Sequence, residues 1–267
     1  MNAIDTHAHV FSQHDQCSEN ARYTPDYDAT AEQFIAHLDQ HHFRYGVLIQ
    51  PSFLGTNNQA MLAAIQQYPD RLKGIAVVEH TATLDELVQL KAHGIVGIRL
   101  NLFGQAVPDL DNPQWQNFFA HLEALEWQIE LHAPPAYLVA VLPQLNLYNL
   151  NIVIDHFGRV DPVKGIDDAD YQSFLTLLDT KKHWVKVSGF YRLAADSNAN
   201  HVAQQAFKRL KEKGMLNKLV WGSDWPHTQN EAKISYEIAM DAFKQIVPNL
   251  DEQKMILADN ALQLFKF

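Results

Sequence analysis

Residues 4–11 read IDTHAHVF, an apolar run that carries an aspartate and then two histidines, His7 and His9. On a β-strand, residues two apart point to the same face, so the two imidazoles would converge on one spot. Alone, this pattern also fits a half-buried strand whose histidines are merely hydrogen-bonded. An open doubly wound sheet would place a glycine-rich fingerprint after its first strand, and the sequence has DTHAHVF there instead. The stretch therefore favours a first strand that ends in a polar site.

Composition limits the possible classes of protein. The chain has 267 residues and a net charge of −10, with no run rich in Lys or Arg, so nucleic acid is not expected as a partner. A lone cysteine, Cys17, excludes an intrachain disulfide and fits a reducing compartment. The N-terminus does not resemble a signal peptide, and no apolar run approaches the ~20 residues that span a bilayer. We expect a cytoplasmic protein without a membrane partner.

Short apolar runs alternate with longer amphipathic ones along the whole chain. The apolar runs predict eight strands, at 3–6, 46–49, 72–78, 97–100, 128–131, 152–155, 185–187 and 219–221. The amphipathic runs predict helices at 31–40, 58–67, 84–92, 114–125, 136–144, 169–180, 201–213, 231–246 and 251–264. Eight strand–helix units predict a parallel sheet closed into one (β/α)₈ barrel domain over residues 1–267, with an open doubly wound sheet as the alternative.

The predicted strands four to eight each run into polar residues. In order these are Arg99; His132; Asp155, His156 and Arg159; Ser188, Tyr191 and Arg192; and Ser223, Asp224 and His227. Barrel active sites are built at this end of the strands. Any one of these residues could be structural, and Asp155 is expected to face away from His156 and to bond backbone or orient a neighbour. Together with His7 and His9 the set predicts one site. The histidines elsewhere, His183 among them, are expected to be solvated on helices and loops.

The segments DTHAHVF, GIRLN, DHFGR, KVSGFYR, WGSDWPH and DNALQLF resemble the amidohydrolase superfamily, more narrowly the amidohydrolase-related group that contains 2-pyrone-4,6-dicarboxylate lactonase. The resemblance implies a barrel hydrolase acting on a lactone or similar ester. In the superfamily, residues matching His7, His9, His132 and Asp224 hold a divalent metal, and the residue matching His156 assists catalysis. In the pyrone-dicarboxylate lactonase, hydrolysis is metal-independent and the aspartate matching Asp224 activates water.

The same resemblance implies that arginines matching Arg99, Arg159 and Arg192 grip carboxylates or the carbonyl. Two departures from the lactonase pattern are visible. His132 suits a metal, and a second arginine just after strand four has no match in NLFGQAVPDL, residues 101–110. The dicarboxylate substrate is therefore open.

Lactone hydrolysis needs an activated water, a stabilised oxyanion and a proton for the leaving oxygen. We expect Asp224 to take the proton of water, and His7, His9 and His156 to polarise the carbonyl. Guanidinium groups bind carboxylates through two parallel hydrogen bonds. We therefore predict a small carboxylate-bearing substrate, bound by residues that carry complementary donors: Arg99, Arg159, Arg192, Tyr191, Ser188 and His132.

The cofactor and the exact reaction are left open. Hydrolysis without metal is narrowly preferred over a zinc site formed by His7, His9, His132 and Asp224. The alternatives are a metal-dependent decarboxylase or amidohydrolase or a sugar-acid lactonase on the same barrel, and a non-catalytic barrel that binds a carboxylate. Covalent catalysis is not expected, because the sequence has no G-x-S-x-G elbow. The sequence specifies neither the oligomeric state nor the roles of loops 12–30 and 103–111.

Overall fold

A computed structural model describes residues 2–194 and 198–267. Over these ranges eight strands form one sheet in the order of the sequence, and each strand pairs in parallel with the next. The strands are β1 (Ala3–Ala8), β2 (Phe43–Ile49), β3 (Leu72–Ala76), β4 (Ile95–Asn101), β5 (Gln128–His132), β6 (Asn151–Ile154), β7 (His183–Val187) and β8 (Leu219–Trp221).

The sheet closes where the chain leaves β8. There the backbone N–H of Asp224 donates to the carbonyl oxygen of His7 at 2.8 Å, and that of His9 donates to the carbonyl oxygen of Trp225 at 2.8 Å. Ala8 and Trp225 form a parallel bridge. The (β/α)₈ barrel predicted from the alternating pattern is thus confirmed.

In the described residues, seven helices connect consecutive strands on the outside of the barrel, and three more follow β8. They are α1 (Ala31–Gln40), α2 (Gln59–Gln67), α3 (Leu84–Ala92), α4 (Pro113–Ala124), α5 (Pro135–Leu145), α6 (Ala169–Leu177), α7 (Ala199–Glu212), α8 (Tyr236–Ile246), α9 (Leu250–Lys254) and α10 (Asn260–Phe265). A π-helical turn, Met255–Asp259, joins the last two. Thr30 and Thr83 open α1 and α3 with capping boxes. Among the described residues no helix combines the length and apolarity needed to cross a bilayer.

Several sequence-based expectations differ from the structure. The predicted helix over 231–246 begins only at Tyr236, because Ser235 caps it by accepting from the N–H of Ile238. The predicted helix over 169–180 ends at Leu177. The expectation that His183 is solvated is wrong: the residue is fully buried at the start of β7, where one ring nitrogen accepts from the N–H of Asp179.

The apolar interior forms two separate cores. The larger lies largely between the helices and the outer faces of the strands. The smaller joins residues of six strands, such as Val47, Val153 and Val220, to Ala261 and Leu264 of α10. Several of its members lie near the N-terminal ends of their strands. This apolar core leaves the C-terminal ends of the strands for polar groups.

Gly222, directly after β8, offers a test of how tightly β1 and β8 fit. A Cβ atom there would lie 2.7 Å from the backbone nitrogen of His7. We expect Gly222→Ala to lower the free energy of unfolding by about 1–3 kcal/mol through overpacking and to reduce activity, because His7 and Asp224 are displaced. Urea unfolding measures the first effect. Ala36→Ser, a comparably small enlargement at an exposed position of α1, is the control and should stay close to wild-type stability. A Gly222→Ala protein with wild-type stability and activity would show that the junction is loose.

Candidate active site

Four polar side chains converge at the C-terminal end of the barrel. Nε2 of His7 and Nε2 of His9 each lie 3.7 Å from Oδ1 of Asp224, and Nε2 of His156 lies 3.9 Å from it. All four residues are at least 95% buried. The three histidines predicted to be catalytic therefore face a single oxygen of Asp224, the predicted base. These separations exceed hydrogen-bond length and leave room for a shared small molecule.

The other oxygen of Asp224 is fully occupied. The hydroxyl of Tyr191 and Nε of Arg192 each donate to Oδ2 at 2.7 Å. Burial acts to raise the pKa of Asp224, but the charge of Arg192 beside it holds the pKa well below its usual range. Asp224 is therefore a carboxylate near neutral pH, and its free oxygen Oδ1 is the one that faces the imidazoles.

The imidazoles are oriented through their other nitrogens. Nδ1 of His9 lies 2.7 Å from the carbonyl oxygen of Ile49, so it donates, and in the neutral ring Nε2 keeps a lone pair. Nδ1 of His156 lies 2.8 Å from the hydroxyl of Ser188. Burial lowers the pKa of His156 to about 3 and that of His7 well below its usual value. His7 and His156 are thus neutral where most enzymes work.

A layer of buried charges lies against His7. Nζ of Lys186 lies 2.6 Å from Oε2 of Glu130, 3.1 Å from Nδ1 of His7 and 3.6 Å from Oδ1 of Asp155. Oδ2 of Asp155 accepts from Nε and Nη2 of Arg99 at 3.2 and 2.9 Å. Burial raises the pKa of Glu130 to about 7, although Lys186 beside it acts in the opposite direction.

Sequence reasoning missed part of this layer. Lys186 and Glu130 were not singled out, although each is a charged residue inside an otherwise apolar strand run, VKV and IEL. Asp155 does orient neighbours, but the expectation that it faces away from His156 is wrong. Oxygen or nitrogen atoms of Asp155, His156 and His7 lie within 4.8 Å of one another. The side chains pair across the barrel interior, which no local pattern records.

The three arginines expected to bind substrate differ in their partners. Arg99 is held by Asp155 and Arg192 by Asp224. Within the described ranges, Nε and Nη1 of Arg159 are buried without a hydrogen-bond partner, and the guanidinium lies 4.7 Å from the ring centroid of Phe103. Burial, with Arg192 nearby, lowers the pKa of Arg159 to about 10. Of these three arginines, Arg159 therefore has N–H donors available for a substrate.

Two further histidines line this end of the barrel. Both ring nitrogens of His132 and of His227 are buried and, in the part of the chain that is described, lack hydrogen-bond partners. The His132 ring centroid lies 4.5 Å from that of Phe103 and 5.4 Å from that of His156. Burial, followed by the charge of Arg99, lowers its pKa well below the usual value. His132 is thus a neutral group with unused hydrogen-bonding capacity beside the site.

The backbone at the site adopts conformations that L-residues usually avoid. Asp224, His156 and Arg159 have φ of 61°, 49° and 54°. A non-glycine residue in this left-handed region costs about 1–2 kcal/mol. These residues occupy the turns after β6 and β8, and the turns aim their side chains toward the barrel axis. Such a cost at three site residues fits a functional role.

Two neighbouring cavities open above these groups. The first has a volume of about 50 Å³ and is lined by His9, His156, Asp224 and Arg99, among others. The second has a volume of about 370 Å³, and it shares Arg22, Ser52 and Asn101 with the first. The exposed Arg22 comes from loop 12–30 and lies beside loop 103–111, where a Cβ on Gly104 would be 3.8 Å from its Cδ. Both loops therefore form the entrance of the site.

The comparisons with known proteins agree with this site. The amidohydrolase family model matches residues 4–267, and the chain belongs to that family. It is 26% identical to 4-sulfomuconolactone hydrolase of Hydrogenophaga intermedia over 98% of this chain and 88% of that protein. It is also 26% identical to 2-pyrone-4,6-dicarboxylate hydrolase of Comamonas testosteroni over 98% and 90%.

A solved structure from Acinetobacter baumannii is more similar still. It is described as a probable 2-pyrone-4,6-dicarboxylic acid hydrolase with citric acid bound. The two chains are 66% identical and superpose with a TM-score of 0.99 over 100% of both. Backbone geometry is thus nearly unchanged between this chain and that relative.

The sequence leaves a divalent metal ion as an alternative to metal-free hydrolysis, and such an ion needs several ligand atoms close to one another. Ligand atoms of His7, His9 and Asp224 lie within 4.8 Å of one another. His132, the fourth ligand expected from the sequence, belongs to no such group among the described residues. The arrangement of the first three would suit an ion only if every donor could offer a lone pair.

The proton on His7 does not allow this. Lysine has only donors, so Nδ1 of His7, 3.1 Å from Nζ of Lys186, must accept. A neutral ring then carries its proton on Nε2, the nitrogen that faces Asp224, and a protonated nitrogen cannot ligate. The residues present therefore do not fit a divalent metal at His7, and no step below uses one.

The pKa of His156 can be tested directly. Burial depresses it to about 3, so the ring stays neutral as the pH falls through 6.5 and gains its proton only near pH 3. We expect ¹⁵N-edited NMR of the ring to show no titration between pH 8 and pH 5. Free histidine in the same buffer series serves as the reference for an unburied ring. A midpoint near 6.5 for His156 would mean that the ring is solvated in solution.

Proposed function

We propose that this protein is a hydrolase that opens a carboxylate-bearing lactone, with Asp224 activating water. The observation that carries the proposal is the free Oδ1 of an ionised Asp224, faced by three imidazole nitrogens at 3.7–3.9 Å. This arrangement supplies a base and donors for a carbonyl in one place. The relatives named for hydrolysis of a sulfomuconolactone and of a pyrone dicarboxylate support it.

The attacking water fits between Asp224 and His9. One hydrogen of the water is donated to Oδ1 of Asp224 and the other to the lone pair of His9 Nε2. As the water oxygen bonds to the lactone carbonyl carbon, Asp224 takes one proton. Proton transfer of this kind contributes about 10²–10⁴-fold to a rate. The ionised state of Asp224 at neutral pH keeps this base ready.

The carbonyl oxygen becomes an oxyanion, which needs hydrogen-bond donors. Nε2 of His7 carries a proton and, within the described residues, has no other partner. When the tetrahedral intermediate collapses, the ring C–O bond breaks and the leaving oxygen takes the proton that Asp224 accepted. The product carries one new carboxyl group, which ionises at neutral pH and releases acid. Atoms and charge thus balance without a cofactor.

The charges around the cavity favour an anionic substrate. In the described structure Arg99 pairs with Asp155, Arg192 with Asp224 and Lys186 with Glu130, while Arg159 pairs with no carboxylate. This leaves an excess positive charge in a chain of net charge −10. Arg159 has unpaired donors, and Arg22 adds another cation in the adjoining cavity. A lactone with one carboxylate near Arg159 and a second anionic group near Arg22 fits best.

The reaction class is decided by a pH-stat assay over a panel of lactones. The panel holds 2-pyrone-4,6-dicarboxylate, a sugar-acid lactone with one carboxylate, and an uncharged lactone of similar size. We expect acid release from the charged lactones and little from the uncharged one. CO₂ release in place of acid would indicate a decarboxylase. Binding without turnover would indicate a non-catalytic barrel.

Asp224→Asn tests the assigned base. The amide keeps the size of the side chain but cannot accept a proton from water, so we expect kcat to fall by about 10³-fold or more. Asp241→Asn, an exposed change on α8, is the control and should retain wild-type kinetics. A fully active Asp224→Asn enzyme would exclude Asp224 as the base.

Arg159→Ala tests the substrate's negative charge. Since Arg159 pairs with no carboxylate in the described structure, its removal should leave the fold intact and raise KM for a carboxylate-bearing lactone by about 10-fold or more, the loss of a charged hydrogen bond. Arg99→Ala is the contrast: it leaves Asp155 without its guanidinium and should lower stability by about 3–5 kcal/mol. Unchanged KM in Arg159→Ala would mean that this arginine does not bind the substrate.

A further inference from the structure

Lys186 is the one lysine of the described residues that is buried within the barrel. Its ammonium lies in direct contact with Glu130 and Nδ1 of His7, at 2.6 and 3.1 Å. Its side chain is fully buried, and Glu130 and His7 take up its ammonium, so we assign it no contact with a substrate. An ion pair inside a barrel is costly to desolvate and by itself is weak evidence for a stabilising role. The contact with His7 suggests what this pair does.

The proton of His7 has two possible positions. If it lies on Nδ1, the N–H faces the Lys186 ammonium, donor against donor, at 3.1 Å. Its only compensation would be Oδ1 of Asp155, which lies 3.4 Å from Nδ1 and makes no hydrogen bond in the described structure. If the proton lies on Nε2, Nδ1 accepts from Lys186 and the donor clash disappears. Of the remaining polar groups near the ring, Asp224 faces Nε2. His9 and His156 make an edge-on and a tilted ring contact with His7, at centroid distances of 5.1 and 4.8 Å.

We propose that Lys186 is a positioning residue that fixes the proton of His7 on Nε2. His7 then presents a permanent N–H donor to the carbonyl oxygen of the substrate and cannot ligate a metal through that nitrogen. The catalytic half of this inference rests on the proposed function, whereas the position of the proton and the effect on metal binding do not. The lysine therefore selects between two uses of the same H-x-H pair, oxyanion donor and metal ligand.

The test removes the lysine without leaving a buried charge. Lys186→Met alone would leave the buried carboxylate of Glu130 without a partner. The test variant is therefore the double substitution Lys186→Met with Glu130→Gln. Glu130→Gln alone is the matched control, because it keeps the lysine. Ring ¹⁵N shifts of His7 report which nitrogen is protonated. We expect Nε2–H in the wild type and in Glu130→Gln, and a substantial Nδ1–H population in the double variant, where Asp155 becomes the better partner.

Two further readouts separate positioning from simple stability. In the double variant we expect kcat to fall about 10- to 100-fold, as on loss of an oxyanion donor, while KM changes less than about 3-fold. Zinc alone, measured by calorimetry, should bind the double variant at least about 10-fold more tightly than either protein that keeps the lysine, because a lone pair becomes available.

The outcomes are distinct. An Nδ1–H ring in the wild type overturns the proposal, and so does a double variant that retains the Nε2–H ring. If the double variant does not fold, the wild type and Glu130→Gln still decide the proton's position. If no lactone is turned over, the proposed function fails, while the NMR and zinc measurements continue to test the role of Lys186.

Discussion

The site depends on two backbone hydrogen bonds, from Asp224 N–H to the carbonyl of His7 and from His9 N–H to the carbonyl of Trp225. They close the barrel and in the same step fix the distance between the carboxylate and the two histidines of the first strand. His7 and Asp224, which share the first of these hydrogen bonds, both carry side chains of the site. Closure of the barrel and assembly of the site are therefore one event. Gly222 permits the approach, because a side chain there would collide with the backbone of His7. Asp224 adopts its left-handed φ within this same hydrogen-bonded segment.

Charge placement then divides the site into two levels. At the lower level Lys186, Glu130, Asp155 and Arg99 neutralise one another in full burial, and at the upper level Asp224 is held by Arg192 and Tyr191. The upper level leaves Oδ1 of Asp224 free, and the lower level sets the position of the proton on His7. Arg159 is left over, with unused donors and a depressed pKa. An anion beside it would restore both its hydrogen bonds and its charge balance, so the preference for a charged substrate follows from the protein's own unsatisfied groups.

The sequence was sufficient for the barrel and for the groups at its C-terminal end, because both follow from periodic or positional rules. Eight predicted strands alternate with helices, and active-site residues of such barrels follow the strands. The sequence alone therefore predicts that His7, His132 and Asp224 lie at the C-terminal end of the barrel. The partners of those residues could not be predicted in this way. Arg99 and Arg192 look alike in the sequence, yet each binds a different buried aspartate. Arg159, by contrast, keeps two buried donors without a partner among the described residues. Lys186 was overlooked because a single charged residue between two valines is typical of a strand position that faces solvent. Its contacts with Glu130 and His7 join residues 56 and 179 positions away. Pairing across a barrel interior is non-local, and no pattern of spacing encodes it.

An H-x-H pair with a facing aspartate is usually taken to define a metal site by its geometry. In this chain the geometry is permissive, since ligand atoms of His7, His9 and Asp224 lie within 4.8 Å of one another. What distinguishes the two chemistries is the location of one proton. A carboxylate or carbonyl beside Nδ1 would draw the proton there and free Nε2 as a ligand. An ammonium beside Nδ1 does the reverse and turns the same nitrogen into a donor. A single buried side chain on β7 can therefore convert a metal-binding arrangement into an oxyanion site without moving any residue that touches the substrate. The type and spacing of the ligands are then necessary for a metal site but not sufficient. The group that hydrogen-bonds the other nitrogen of each imidazole decides whether a metal can bind.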